Sequence, residues 1–206
     1  MSIRFLLLAV VVLATAFAQN PITTDSPFQV RYAANLNFGD AVINITNSGA
    51  LGAGLQSGTS ASITGSLCAN VYAFSPDEQM ISCCTCPVTP NGLVSLSAQQ
   101  DLISNTLTPA VPTSIVVKLL ASVPVGGSCN AAAPGALASG MVAWGSGLKP
   151  APGGTWAVTE TQFAPATLSA GEYNRLTQLC TFIQANGSGF GICKSCRLGG
   201  WGAGRR

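Results

Sequence analysis

The sequence predicts a mainly β fold: an antiparallel, sandwich-like, disulfide-bonded domain with two short helices, α+β being the alternative class. Three observations predict it. Apolar residues alternate with polar ones at the period of two that half-buried strands require. Clusters of Gly, Pro, Asn, Asp and Ser separate these runs, as turns and loops do. Eight cysteines, an even number, lie in a chain that opens like an exported one.

The opening stretch is MSIRFLLLAVVVLATAFAQN. Arg4 precedes an apolar run from Phe5, and Ala16-Phe17-Ala18 places small residues at both cleavage positions, the layout of a signal peptide over residues 1–18. The run falls short of the roughly 20 apolar residues of a spanning helix. No cysteine directly follows it to take a lipid anchor. The expectation is therefore a secreted protein, extracellular or periplasmic, with no stable membrane insertion after cleavage. Residues 19–196 are expected to form a single β-rich domain, and 197–206 a flexible Gly-rich tail. Cleavage removes only Arg4, leaving eight basic residues against seven acidic ones. So even a balance offers no electrostatic footprint for nucleic acid or acidic lipid. Charged residues make up 8% of the chain, so its surface has little self-repulsion, which suits packing or assembly.

FQVRYA opens the domain as a strand, Phe28, Val30 and Tyr32 alternating with Gln29 and Arg31. Gly39-Asp40 is a turn, and AVINIT a second strand with Ala41, Ile43 and Ile45 on one face. The Gly/Ser-rich run 47–66 is a long loop or a weak strand pair. VYAF and MIS flank Ser75-Pro76-Asp77-Glu78-Gln79, a hairpin around a Pro-Asp turn. In an extended strand Cys84 and Cys86 share one face and Cys83 takes the other. A five-residue loop pairs Phe74 with Met80 and sets Cys68 opposite Cys86, making Cys68–Cys86 the first-choice bond, whereas a four-residue loop would slip that register by one and separate them. LVSLS is a short strand, and Ser97-Ala98-Gln99-Gln100 is a capping box that opens a short helix. TSIVVKLLASV is nearly continuous in apolar residues, as a central strand covered on both faces would be. Residues 124–155 read as a long Gly/Pro/Ala-rich connection pinned at Cys129, and TWAVTETQF as one more strand. The clearest helix is LSAGEYNRLTQLCTFIQANG, with a second capping box at Ser169 and Glu172 and an apolar stripe Tyr173, Leu176, Cys180, Ile183.

Two segments, CANVYAFSPDEQMISCCTCPVTPNGLVSLSAQQDLISNTLTP and FIQANGSGFGICKSCR, resemble an uncharacterised family of secreted bacterial proteins. The resemblance runs from about Phe28 to Gly202. It implies export and a single domain, and says nothing about activity.

The disulfide candidates are Cys68, Cys83, Cys84, Cys86, Cys129, Cys180, Cys193 and Cys196, and eight cysteines allow 105 pairings. Cys84-x-Cys86 with Cys193-x-x-Cys196 has the spacing of a four-thiolate metal site. Metal binding needs reduced thiols, however, and an exported chain meets oxidants first. No metal and no cofactor is therefore expected. Cys193-Lys194-Ser195-Cys196 is the basis of the alternative, a thiol-disulfide redox protein, but it follows a helix instead of opening one. A vicinal Cys83–Cys84 bond is disfavoured because a strand sends the two side chains apart.

With no histidine, Ser-His-Asp and Cys-His chemistry is excluded. Among the acids only Glu160, near Trp156, suggests a carbohydrate-acting enzyme; the others suit turns or helix first turns. Trp144, Trp156 and Trp201 could line a sugar or protein surface. Asn44-Ile45-Thr46 and Asn186-Gly187-Ser188 are glycosylation sequons. The expected function is a non-catalytic structural or binding module of the extracellular space or envelope, with a protein or carbohydrate partner.

Overall fold

The computed structural model describes residues 25–54, 64–194 and 196–198. The expected leader, Trp201 and most of the expected tail lie outside these residues. In chain order the strands are β1 (Phe28–Ala33), β2 (Asp40–Asn47), β3 (Leu67–Phe74), β4 (Met80–Val88), β5 (Leu93–Ser97), β6 (Ile115–Ser122), β7 (Met141–Ala151), β8 (Thr155–Gln162), β9 (Ala164–Pro165) and β10 (Arg197–Leu198). Helix α1 spans Ala170–Ala185. The named strands pair antiparallel, giving sheet A with order β4-β3-β6-β1-β9 and sheet B with order β10-β5-β2-β7-β8. The protein is thus mainly β: two packed sheets, a helix on one of them, and four disulfides.

Alternation decides which residues go inside. Ile43 and Ile45 of β2, Val94 and Leu96 of β5, and Val71 and Ala69 of β3 fill the space between the sheets. The other face of sheet A receives α1: Phe28, Tyr72, Phe74 and Leu120 pack against Leu176, Cys180 and Ile183. Those three helix residues lie four and three apart, one stripe of an α-helix. Ser169 Oγ accepts from Glu172 N at 3.1 Å and caps the start. Sheet A is therefore covered on both faces, and β6, at its centre between β3 and β1, takes the place its apolar sequence implies.

Two expectations are corrected. Residues 124–155 are not one connection, because they contain β7, the longest strand. Its inward positions include Gly145 and Gly147, which carry no apolar signal. A Cβ on Gly145 would fall 1.6 Å from the Arg31 guanidinium, which lies between the sheets. Close approach selects glycine there.

The second correction concerns Cys68–Cys86. Phe74 does face Met80, but a bulge at Ile81 then shifts the register, so Ala69 faces Cys86 and Cys68 faces Pro87. Cys86 consequently points between the sheets and Cys68 points to the helix side. Cys68 bonds Cys129, fixing the connection before β7.

Candidate functional site

The three clustered cysteines of β4 serve two layers. Cys83 lies on the helix side and bonds Cys180 of α1. Cys84 and Cys86 lie on the inner side and bond Cys193 and Cys196. All eight cysteines are thus in disulfides, with none free. Cys193 and Cys196 have different partners, so the CxxC segment is not a dithiol pair, which corrects the redox alternative. Nor are the four thiolates of a metal site present. Among the described residues no group of three or more His, Cys, Asp or Glu is placed to hold a metal ion, and no helix is long and apolar enough to cross a membrane.

The candidate surface is the outward face of sheet B. Register places Trp156, Val158, Glu160 and Gln162 of β8 beside Pro150, Leu148, Ser146 and Trp144 of β7 on this face. Asp40, Val42 and Asn44 of β2 continue the rows. A polar chain crosses the strands: Ser95 Oγ donates to Asn44 Oδ1 at 2.6 Å, Asn44 Nδ2 to Ser146 Oγ at 3.1 Å, and Ser146 Oγ to Glu160 Oε1 at 3.0 Å. The Asn44 sequon nitrogen is therefore engaged in this chain. Trp144 and Trp156 stand at its two sides, 37% and 59% exposed. Trp156 faces Pro150, six positions along β7 from Trp144, so the two indoles are roughly 20 Å apart along the strands.

At the Trp156 end the face deepens into a hollow of about 520 Å³, lined by Gly39, Asp40, Gln99, Leu148, Trp156 and Val158. Its polar wall comes from the Ser97-capped turn expected to start a helix. That turn is a single π-type turn, Ala98–Leu102, closed by Ile103 N donating to Ala98 O. Ser97 Oγ accepts from Gln100 N at 2.9 Å, as a capping box requires, but the reciprocal carboxylate is Asp101, whose Oδ2 accepts from Ser97 N at 2.7 Å. The wider turn brings round the fourth residue instead of the third. Asp40 holds the turn in place, its Oδ1 accepting from Ala41 N and Gln99 N and its Oδ2 from Ser97 Oγ.

Glu160 is the carboxylate that points into the open part of this face. Asp40 lies two strands away and two positions along, roughly 12 Å at the backbone. The face carries apolar platforms and polar groups at fixed spacing.

Of the sequence-derived candidates, Trp144, Trp156 and Glu160 come together here. Asp40, Gln99, Leu148 and Val158 join them without having been foreseen. The usable signal was Gly39: a Cβ there would lie 2.0 Å from Leu148 O, a close approach at the edge of the hollow. Comparison with protein-family models, curated proteins and solved structures finds no match for this chain.

Proposed function

We propose that the chain is an exported, non-catalytic binding module whose outward face of sheet B takes a neutral glycan. On this reading residues 1–18 are the leader and 19–196 the single domain. The carrying observation is the pair of exposed indoles, Trp144 and Trp156, on one face with a hydrogen-bonded polar chain between them. Sugar rings present flat C–H faces, which stack on indole, and hydroxyls at their rims, which pair with Glu160, Ser146 and Asn44. The scarcity of charge matches a neutral ligand, and a span of roughly 20 Å matches an oligosaccharide better than a single sugar. Four disulfides match an oxidising compartment.

The test is a panel of neutral and acidic glycans against the folded, cleaved protein, read by thermal shift. Binding at a hundredfold excess over Kd adds about 2.7 kcal/mol of stability, so a neutral oligosaccharide should raise Tm. Trp156→Ala should remove that gain while leaving the ligand-free Tm in place, because the side chain is mostly exposed. The bound oligosaccharide should be recovered uncleaved. A panel without a single shift, or binding unaffected by replacing both Trp144 and Trp156, would refute the proposal.

A further inference from the structure

We infer that two copies of this chain pair edge to edge through β8, antiparallel about a two-fold axis at Thr159, so that sheet B continues from one copy into the other. The inference rests on how the four sheet edges are treated. β5 is capped by β10, and β1 by β9, which ends in Pro165. β4 is capped by the segment around residues 191–196: Cys83 N donates to Gly191 O at 2.8 Å, and Cys84–Cys193 and Cys86–Cys196 fasten it covalently. The fourth edge is β8. All eight of its residues are exposed, on both faces, and among the described residues no strand pairs with its outer side. Proteins usually blunt such an edge with Lys, Pro or a bulge. TWAVTETQ has no Lys, Arg, Pro or Gly, and its pairing with β7 runs without a break.

The hydrogen-bond phase of β8 fixes the register. Phe163 N donates to Ala143 O at 2.9 Å, and Gln162 faces Trp144. Bonded and non-bonded pairs alternate in an antiparallel ladder. The backbone groups of Thr155, Ala157, Thr159 and Thr161 therefore point to β7, and those of Trp156, Val158, Glu160 and Gln162 point outward. A two-fold pairing must set outward residues against outward residues. A centre at Glu160 would oppose two carboxylates, which is destabilising. A centre at Val158 would leave Gln162 facing Gly154, beyond the strand. A centre at Thr159 pairs Trp156 with the partner's Gln162 and Val158 with the partner's Glu160. It engages all four outward residues of each copy and keeps the carboxylates apart.

The edge is thus its own complement, which favours a second copy over a foreign strand. With charged residues only 8% of the chain, little repulsion opposes the approach. Pairing also completes a row on the outward face: Trp144, Gln162, then the partner's Trp156. The two indoles come about 10 Å apart, two strand spacings. The pairing depends on the backbone edge and not on the glycan reading, and each fails independently of the other.

The experiment is sedimentation of the full exported chain, disulfides intact, over a wide concentration range. A reversible dimer is expected. Val158→Glu sets a second carboxylate against the partner's Glu160 on both sides of the axis and should weaken the dimer roughly tenfold. Val158→Lys, in the same place, should hold or tighten it. Thr159→Cys should cross-link across the axis on mild oxidation, since non-bonded antiparallel pairs lie about 4.5 Å apart at Cα. Thr161→Cys, opposite the partner's Ala157, should not. A protein that stays monomeric at its highest concentration overturns the inference, whatever the variants do. So does a dimer indifferent to Val158→Glu, or one that cross-links at Thr161 and not at Thr159.

Discussion

Tyr72 shows how one polar atom ties layers together. The residue is fully buried on the helix side of sheet A, and its hydroxyl donates to Ala131 O at 2.8 Å. Ala131 belongs to the connection that Cys129 anchors to β3, so the phenol repeats in a hydrogen bond what Cys68–Cys129 does covalently. Burial, aided by nearby Tyr173, pushes the phenol far above its ordinary value of 10.0. The sign of the pH effect follows. Below pH 10.0 neither state ionises Tyr72, and its contribution is complete. Above that value the unfolded chain releases the proton while the folded one keeps it, so stability falls as pH rises. Tyr72→Phe removes this alkaline sensitivity. At neutral pH it leaves the buried Ala131 carbonyl without its donor, which costs about 1–3 kcal/mol. Denaturant titrations at neutral and alkaline pH measure both effects. In the wild type, phenolate absorbance should show Tyr72 ionising only with unfolding. Ionisation of Tyr72 in the still-folded protein would refute this account.

At the scale of elements, β7 and its neighbours hold the hollow open. β2 enters the sheet at Asp40, and Gly39 just before it lies against the carbonyl of Leu148 in β7. Gly39→Ala would place a methyl 2.0 Å from that oxygen. Backbone cannot yield as a side-chain tip can, so the start of β2 must move away. We expect a loss of about 1–3 kcal/mol and a change in Trp156 emission, because the hollow's edge shifts with it. Unchanged stability and fluorescence would show the approach to be loose. The same contact explains what was legible in the sequence. β1, β2, β5, β6, β8 and α1 announce themselves because alternation, an unbroken apolar run or a capping box is local information. β7 does not, since of its inward glycines Gly145 answers to Arg31 on the other sheet and Gly147 to Thr159 of β8. The Cys68 partner does not either: the bulge at Ile81, whose carbonyl accepts from Leu107 N at 3.0 Å, exchanges the faces. Trp156 and Glu160 could be placed on one strand face by parity alone. Gln99 could not, because its position depends on the width of a π turn.

Across the whole molecule, three of the four disulfides leave from β4, and they divide the work between layers. Cys83–Cys180 fixes the helix to sheet A. Cys84–Cys193 and Cys86–Cys196 draw the C-terminal segment along the β4 edge, after which Arg197 and Leu198 pair with Ser95 and Val94 of β5. The strap thus runs from the edge of one sheet to the edge of the other and closes that side of the sandwich. The stretch expected as tail from 197 begins with this pairing. Each strap bond spans about 110 residues, and closing a loop of that length in the unfolded chain is worth about 4–5 kcal/mol. The two loops nearly coincide, so the second bond adds far less than the first. Removing Cys84–Cys193 alone, or Cys86–Cys196 alone, should therefore cost little beyond local fraying. Removing both should cost several times more and release the strap. β10 would be lost first, because two residues of ladder cannot hold without the anchor, and the β4 edge would open to pairing. Hydrogen exchange tests the order. In the double-deletion protein the amides along the β4 edge and in β10 should lose protection while those of β6, central and covered on both faces, keep theirs. Uniform loss from the strap to β6 would mean that the sandwich does not stand without the strap, and that its closed side is part of the core's stability.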